Sequence, residues 1–253
     1  MTTLARVRLP LGVISFAVVF AAWEFAGDAH LVNTVLLPPP SAILPALWRL
    51  LLSGTIFAAL AETLALLFAG YAIGCILGVA FGLAMGTSRR ADNLFEPLFE
   101  LFRPIPIPAL LPPLFLFLGF GVTMKTTVVA LGAFFPVLIN TIQGVRGVDP
   151  VALDTARTFR CPPARTLLKV VLPAALPMIL TGMRVSLGLG LILVVLAEML
   201  AGQGGLGYAI LDMQRSFEIP EMYAWIVVLA LIGLGLNTVF LMVEAKAVPW
   251  RAK

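Results

Sequence analysis

The sequence predicts an all-α membrane protein in which one domain, residues 1–253, contains six membrane-spanning helices. Of its 253 residues, 60% are apolar and only 12% are charged, and the mean hydropathy is +1.04. A soluble domain of this length cannot hide so much apolar surface, because a large part of any folded surface faces water. The apolar runs are long and continuous, as in helices that need about 20 apolar residues to cross a bilayer, and unlike the alternating strands of a membrane barrel. These observations argue against a soluble enzyme.

Six apolar stretches predict the spans. They cover residues 11–26, 64–86, 105–120, 126–142, 176–200 and 223–243. The third is short and rich in proline, which a membrane tolerates only where neighbouring helices satisfy the freed carbonyls. The segment Pro38-Pro39-Pro40-Ser41 precedes a helix predicted to lie along the membrane surface over residues 41–52. Four glycines between positions 202 and 207 predict a tight, irregular turn in the loop 202–221.

The distribution of basic residues predicts the orientation. Six spans place both termini on one side of the membrane, and most Lys and Arg fall on that side. They are Arg6, Arg8, Arg89, Arg90, Arg103, Arg146, Arg157, Arg160, Arg165, Lys169, Lys246, Arg251 and Lys253, against Arg49, Lys125 and Arg215 on the other side. Basic loops stay in the cytoplasm, so both termini are predicted to be cytoplasmic. The net charge of +4 therefore reports orientation rather than nucleic-acid binding.

A polar cytoplasmic segment, residues 144–173, separates the fourth and fifth spans and is too long for a simple connector. Asp149-Pro150 predicts a helix start, with Asp as N-cap and Pro in the first turn. A short helix is predicted over residues 150–159, then a break at Cys161-Pro162-Pro163, then a second short helix toward Val171. Leu172-Pro173 is predicted to turn the chain into the membrane. We call residues 149–173 the shelf.

Two parts of the shelf resemble the EAA loop of ABC importer permeases. The family pattern is Glu-Ala-Ala, three residues, Gly, nine residues, then Ile-x-Leu-Pro, and Asp154-Thr155-Ala156 and Val170-Val171-Leu172-Pro173 fit its spacing without a gap. Asp154, Thr155, Arg160 and Val170 depart from the family's residue types. The arginine bears most on geometry, because it disfavours the left-handed backbone that glycine adopts freely.

Further segments resemble one branch of these permeases, the nitrate, sulfonate and taurine type, which also includes bicarbonate and some vitamin-precursor importers. They are Leu37-Pro38-Pro39-Pro40-Ser41, Arg103-Pro104-Ile105-Pro106, Gly132-Ala133-Phe134-Phe135-Pro136, Ala197-Glu198-Met199-Leu200 and Gly204-Gly205-Leu206-Gly207-Tyr208. The resemblance covers about residues 36–246. Leu66 departs from it, since relatives often carry Arg there.

The resemblance implies a type I ABC importer (MetI-like) permease fold, a homodimer in the bacterial inner membrane, and transport by alternating access. It implies two ATP-binding cassette ATPase subunits inside and a substrate-binding protein outside. ATP and Mg would be bound by these ATPase partners, with no cofactor in this chain. The implied substrate is a small anion such as nitrate, a sulfonate, taurine or bicarbonate, with pyrimidine-like vitamin precursors left open. The implied coupling residues are Asp154, Thr155, Ala156, Arg157, Arg160, Leu172 and Pro173. Without the resemblance, the shelf could equally be a basic loop held near anionic lipid.

Glycines recur every fourth residue in the second predicted span, at Gly70, Gly74, Gly78, Gly82 and Gly86. Such a stripe lets two helix backbones approach closely in lipid. The contact is predicted within this chain, with a seam between two copies, or a moving contact, as the alternatives.

Arg184 and Glu198 are charged residues of the fifth predicted span and are candidates for the transport path, since charges at depth are often functional. They lie fourteen residues, or about 21 Å, apart along a helix, so they cannot pair directly. The alternative is that Arg184 reaches the inner interface and Glu198 the outer one.

The motifs of other function classes are missing from the sequence. It contains no G-x-x-x-x-G-K-[ST] phosphate loop, so ATP hydrolysis is assigned to a partner subunit. It contains no catalytic set and no pattern of metal ligands. The remaining alternative is a self-sufficient channel or secondary carrier, which would usually show acid pairs within the membrane and two related halves.

Overall fold

The structure, a computed structural model, describes residues 5–250, and the side chains from residue 12 onward. Every regular element in this part of the chain is helical. The helices are α1 (Ala5–Asp28), α2 (Pro40–Ser53), α3 (Thr55–Thr87), α4 (Arg89–Phe102), α5 (Leu111–Leu118), α6 (Val122–Arg146), α7 (Pro150–Thr158), α8 (Pro163–Thr166), α9 (Leu172–Ala201), α10 (Gly205–Arg215) and α11 (Ile219–Ala247). A 3₁₀ turn, Ile107–Leu110, precedes α5, and a π-helical turn, Leu167–Val171, joins α8 to α9.

Among the described residues, four helices are long and apolar enough to cross a membrane: α3, α6, α11, and the run Pro163–Ala201 that contains α9. A fifth crossing needs α4 together with Ile107–Leu118, which are bent by 81° relative to each other. The single straight span predicted over residues 105–120 is therefore wrong. Pro104, Pro106 and Pro108 interrupt the helix there, and the eight residues of α5 cover only about 12 Å.

The first predicted span, residues 11–26, lies in α1, a helix of 24 residues. Its apolar side chains from Val13 to Phe25 are mostly exposed, and it packs mainly against α2, with Trp23 also close to Tyr223 of α11. A sixth span at this position stays a prediction.

The core of the fold is the packing of α3 against α6 and of α6 against α9. The five glycines of the α3 stripe face α6. They oppose, in order, Val129, Ala133, Val137, Thr141 and Val145, which also recur every fourth residue. A β-carbon on any of these glycines would come within 3 Å of an α6 atom, so the two backbones pack at a distance that only glycine permits. Because α6 fills the stripe, a second copy of the chain has no room to contact it.

The chain between α8 and the end of α9 is one continuous helix of 39 residues, Pro163–Ala201. The predicted turn at Leu172-Pro173 is therefore not present. Proline lacks an N–H group and normally breaks a helix. Here the π-helical turn absorbs the mismatch, since the Leu172 N–H donates to the Leu167 carbonyl five residues back. The shelf and the fifth predicted span are thus joined without a loop.

Candidate coupling surface and transport path

Helix α7 begins and ends with defined caps. The Asp149 carboxylate accepts a hydrogen bond from the Val151 N–H at 2.9 Å, and Pro150 occupies the first turn, as the sequence predicts. At the other end, the Cys161 N–H donates to the Ala156 carbonyl and the Arg160 N–H donates to the Arg157 carbonyl. These two bonds form a Schellman motif, which requires a left-handed residue at Arg160.

Arg160 has φ = +50°, the left-handed conformation for which relatives use glycine. The arginine therefore adopts the backbone geometry of the family's glycine, although its β-carbon makes this conformation energetically costly. Pro162 and Pro163 follow directly and cannot continue α7, so the chain must turn at Arg160.

We expect Arg160→Gly to keep transport at the wild-type level and to raise the melting temperature of the complex slightly. The left-handed conformation costs an arginine about 1 kcal/mol, and glycine removes this cost. Part of the gain in stability is lost, because glycine has greater conformational freedom in the unfolded chain. Melting of the purified complex and uptake into vesicles check this. Arg160→Ala is the control that keeps a β-carbon. A lower melting temperature for Arg160→Gly would show that the arginine side chain itself stabilises the shelf.

The shelf exposes three large apolar side chains, Val151, Phe159 and Leu168, and Phe159 is 77% exposed. Its charged groups are also exposed, including Asp154 and Arg157, which pair at 2.8 Å one turn apart. Exposed apolar residues with charged residues around them are the ordinary composition of a protein–protein contact surface.

The other predicted coupling residues differ in exposure. Ala156 is buried against the chain itself and is only 6% exposed, so it supports the shelf from within. Leu172 and Pro173 are half-buried inside the long helix, while Thr155 and Arg160 are exposed.

At the opposite end of the long helix, Glu198 is completely buried. Its carboxylate accepts hydrogen bonds from the Thr63 hydroxyl at 2.8 Å and from the Gly207 N–H at 2.9 Å. The Thr63 hydroxyl in turn accepts the Leu206 N–H at 2.9 Å. The interpretation that Glu198 reaches the outer interface is wrong, because α3 and α10 enclose it.

Glu198 therefore caps the N-terminus of α10 from a neighbouring helix, where a negative charge is favoured by the free N–H groups and the helix dipole. Gly205, at φ = +88°, lies so close to the carboxylate that a side chain there would collide with it. The glycines between 202 and 207 thus let the chain wrap a buried carboxylate. The tight turn predicted at these glycines is present at residues 202–204. The loop predicted over residues 202–221 is largely wrong, because α10 occupies eleven of these residues.

A cavity of about 720 Å³ lies beside this cap, between α2, α3, α10 and the start of α11. Arg49 and Glu221 pair across it at 2.8 Å, and Glu62, which pairs with Lys125 at 3.4 Å, also lines it. Asp212 also lines this space. The cavity is thus wide and mostly apolar, with a few charged side chains, and it lies at the end of the bundle opposite to the shelf.

Arg184 lies in the middle part of α9, away from both the shelf and the Glu198 end. It is exposed on α9, and its Nε–H donates to the Asn237 Oδ1 of α11 at 3.3 Å. The structure does not bring Arg184 and Glu198 together, as their separation along the helix predicts.

Comparison with known proteins identifies the family. A family model described as "Binding-protein-dependent transport system inner membrane component" matches residues 70–249, which is most of the chain. The chain belongs to this family of permeases.

Relatives cover nearly the whole permease. It is 35% identical to a putative aliphatic sulfonates transport permease protein, SsuC, of Bacillus subtilis, over 95% of this chain and 87% of that protein. It is 30% identical to the taurine transport system permease protein TauC of Escherichia coli, over 97% of this chain and 91% of that protein. These matches confirm the sulfonate and taurine branch that the sequence resembles.

Solved structures confirm the predicted fold. The permease is similar to an inward-facing form of the MetNI methionine ABC transporter, with a TM-score of 0.64 and 18% identity over 80% of this chain and 98% of that chain. A second crystal form of the same transporter gives a TM-score of 0.63. The permease therefore has the MetI-like fold of ABC importers.

Proposed function

We propose that two copies of this permease form the translocation path of an ATP-driven importer for small organic sulfonates such as taurine. The observation that carries the substrate class is the similarity, over almost the full length, to permeases for aliphatic sulfonates and taurine. A formylaminopyrimidine permease, ThiX, is 29% identical, and this relative supports a vitamin-precursor substrate less strongly.

In the proposed importer, the shelf binds a separate ATPase subunit in the cytoplasm, and a substrate-binding protein delivers the sulfonate at the opposite end. The charge asymmetry of the loops supports this orientation, with both termini cytoplasmic in the inner membrane. ATP-driven closure of the ATPase pair moves the two shelves, and the spans alternate between inward and outward openings. The coupling residues are Asp154, Thr155, Arg157, Arg160 and the exposed Phe159, with Ala156, Leu172 and Pro173 supporting them from within.

The test of coupling is Phe159→Ala in the reconstituted complex of permease, ATPase subunit and binding protein. Phe159 is the one aromatic residue of the shelf and is 77% exposed, and a large side chain that fills a pocket in a partner typically contributes about 2 kcal/mol or more to binding. We expect Phe159→Ala to lose co-purifying ATPase and at least about tenfold of ATP-dependent taurine uptake. Phe159→Ala tests coupling more directly than Ala156→Glu does, because Ala156 is buried and a glutamate there would disrupt the packing of the shelf itself.

The control is Phe217→Ala. Phe217 is 83% exposed and lies between α10 and α11, at the other end of the bundle. We expect it to keep the ATPase subunit bound. The ATPase is made in the cytoplasm, so loss of binding at Phe217 and retention at Phe159 would reverse the proposed orientation. ATP-dependent uptake by the wild-type complex, with a formylaminopyrimidine in parallel, tests the substrate class.

A further inference from the structure

Arg184 is a charge deep within a membrane-spanning helix. It lies twelve residues after Leu172, the first residue of α9, and seventeen before Ala201, the last, so it is about 18 Å from one end and about 25 Å from the other. In the four long apolar helices of the described chain, the other charged residues lie within seven residues of a helix end. A charge at this depth is costly in lipid and is kept where it contacts a polar partner or a water-filled path.

The partner that the structure gives Arg184 is neutral. The side-chain oxygen of Asn237 accepts from the guanidinium Nε–H at 3.3 Å, and within residues 12–250 no carboxylate pairs with Arg184. A guanidinium has five N–H donors, so four remain for a ligand. Asn237 thus orients the planar group without cancelling its charge.

The space beside the guanidinium is open. A cavity of about 70 Å³ lies between α9 and α11, lined by Arg184, Asn237, Gly188, Gly233 and leucine side chains. Gly188 is one turn after Arg184, and a β-carbon there would meet no atom within 4 Å. The space next to the free N–H donors is therefore open on the Gly188 side.

The four long apolar helices of a second copy offer no carboxylate as far from a helix end as Arg184. Their acidic residues are Glu62, Glu198, Glu221 and Glu244, all near helix ends. An ion pair across a dimer of these helices would therefore not reach Arg184. A mobile anion is the ligand that completes its pairing.

We propose that Arg184 and Asn237 form an oxyanion-binding subsite on the translocation path, which binds the sulfonate group of the substrate. The inference rests on the proposed function and adds the residues that select the anion. The guanidinium donates two parallel hydrogen bonds to two sulfonate oxygens, the geometry that arginine forms with such groups. The uncompensated charge of the guanidinium attracts the anion into the membrane, and a contact with one arginine is weak enough for the anion to leave again.

The test measures uptake and ATPase activity separately in the reconstituted complex with binding protein and labelled taurine. We expect Arg184→Gln to lower uptake about tenfold or more, because a charge-assisted bidentate contact is lost. Arg184→Lys should restore part of the uptake, since the charge returns without the planar fork. Asn237→Asp changes the size of the side chain little but neutralises the guanidinium, and it should lower uptake as strongly as Arg184→Gln. ATPase stimulation by the binding protein should persist in all three variants.

Wild-type uptake by Arg184→Gln or Asn237→Asp would overturn the inference. So would a parallel loss of ATPase stimulation and melting temperature, which would make Arg184 a structural residue. A lipid phosphate is the other source of an oxyanion. If anionic phospholipid raises the melting temperature of the wild type more than that of Arg184→Gln, the site binds lipid and the inference is wrong. If the wild-type complex imports no sulfonate at all, the proposed function fails, whatever the variants do.

Discussion

Replacing Gly74 with leucine should prevent the permease from folding to a stable complex. A β-carbon at Gly74 would lie 2.5 Å from the Ala130 carbonyl oxygen and 2.7 Å from the Ala133 β-carbon. The obstacle is a backbone atom, so no rotation of a side chain relieves it, and α3 and α6 must move apart along their whole contact. Overpacking a core typically costs about 1–3 kcal/mol, and separating two backbones raises that cost further.

The measurement is the amount and melting temperature of monodisperse protein extracted from membranes. Gly235→Leu is the matched control, because Gly235 lies in the span α11 and a β-carbon there would meet nothing within 4 Å. We expect Gly235→Leu to behave like the wild type and Gly74→Leu to be recovered mainly as aggregate. Equal recovery of the two variants would show that the glycine stripe is not the close contact between α3 and α6.

Glu198→Ala should have the second large effect, by releasing the N-terminus of α10. Removal of the carboxylate leaves the Thr63 hydroxyl and the Gly207 N–H without their buried acceptor and opens a cavity between α3 and α9. Each unsatisfied buried group costs about 1–3 kcal/mol, so a loss of about 3 kcal/mol or more is expected. Hydrogen exchange of the segment 202–215 should rise before that of the rest of the chain.

Glu198→Gln separates hydrogen bonding from charge. A glutamine oxygen in the place of Oε2 can accept from both the Gly207 N–H at 2.9 Å and the Thr63 hydroxyl at 3.0 Å, so both donors keep an acceptor with the charge removed. We expect this variant to keep most of the stability. If Glu198→Gln is as unstable as Glu198→Ala, the negative charge is the dominant contribution. If Glu198→Ala leaves hydrogen exchange unchanged, the capping role is wrong.

The elements that the sequence predicts well are those set by long apolar runs. The predicted spans that correspond to α3, α6, α9 and α11 require only a continuous run of apolar residues long enough to cross a bilayer. Such a run is visible in the local sequence. The N-terminal cap of α7 is also predictable, because Asp149 and Pro150 act on the turn that follows them. Local residues are sufficient for such features.

The errors concern features that depend on distant contacts. Neither interpretation of Glu198, on the transport path or at the outer interface, includes its buried partner, because nothing near it in the sequence indicates Thr63, which is 135 residues away. The glycines at 202–207 predict a turn but not the helix α10 that follows it, although their closeness to Glu198 in the sequence is a signal for backbone packed around a carboxylate. The bend of 81° between α4 and Ile107–Leu118 depends on how α4 packs against α3, which proline spacing alone does not specify.

The continuity of Pro163–Ala201 has a mechanical consequence. A helix of 39 residues is about 58 Å long, and it joins the shelf to the carboxylate that holds α10. A tilt of about 5° around its middle displaces each end by about 2.5 Å, in opposite directions. In the proposed importer, a displacement of the shelf end of this helix would therefore move its other end, with the glycines at 202–207, in the opposite direction. Because the Glu198 carboxylate accepts a hydrogen bond from the Gly207 N–H, α10 would move with the helix.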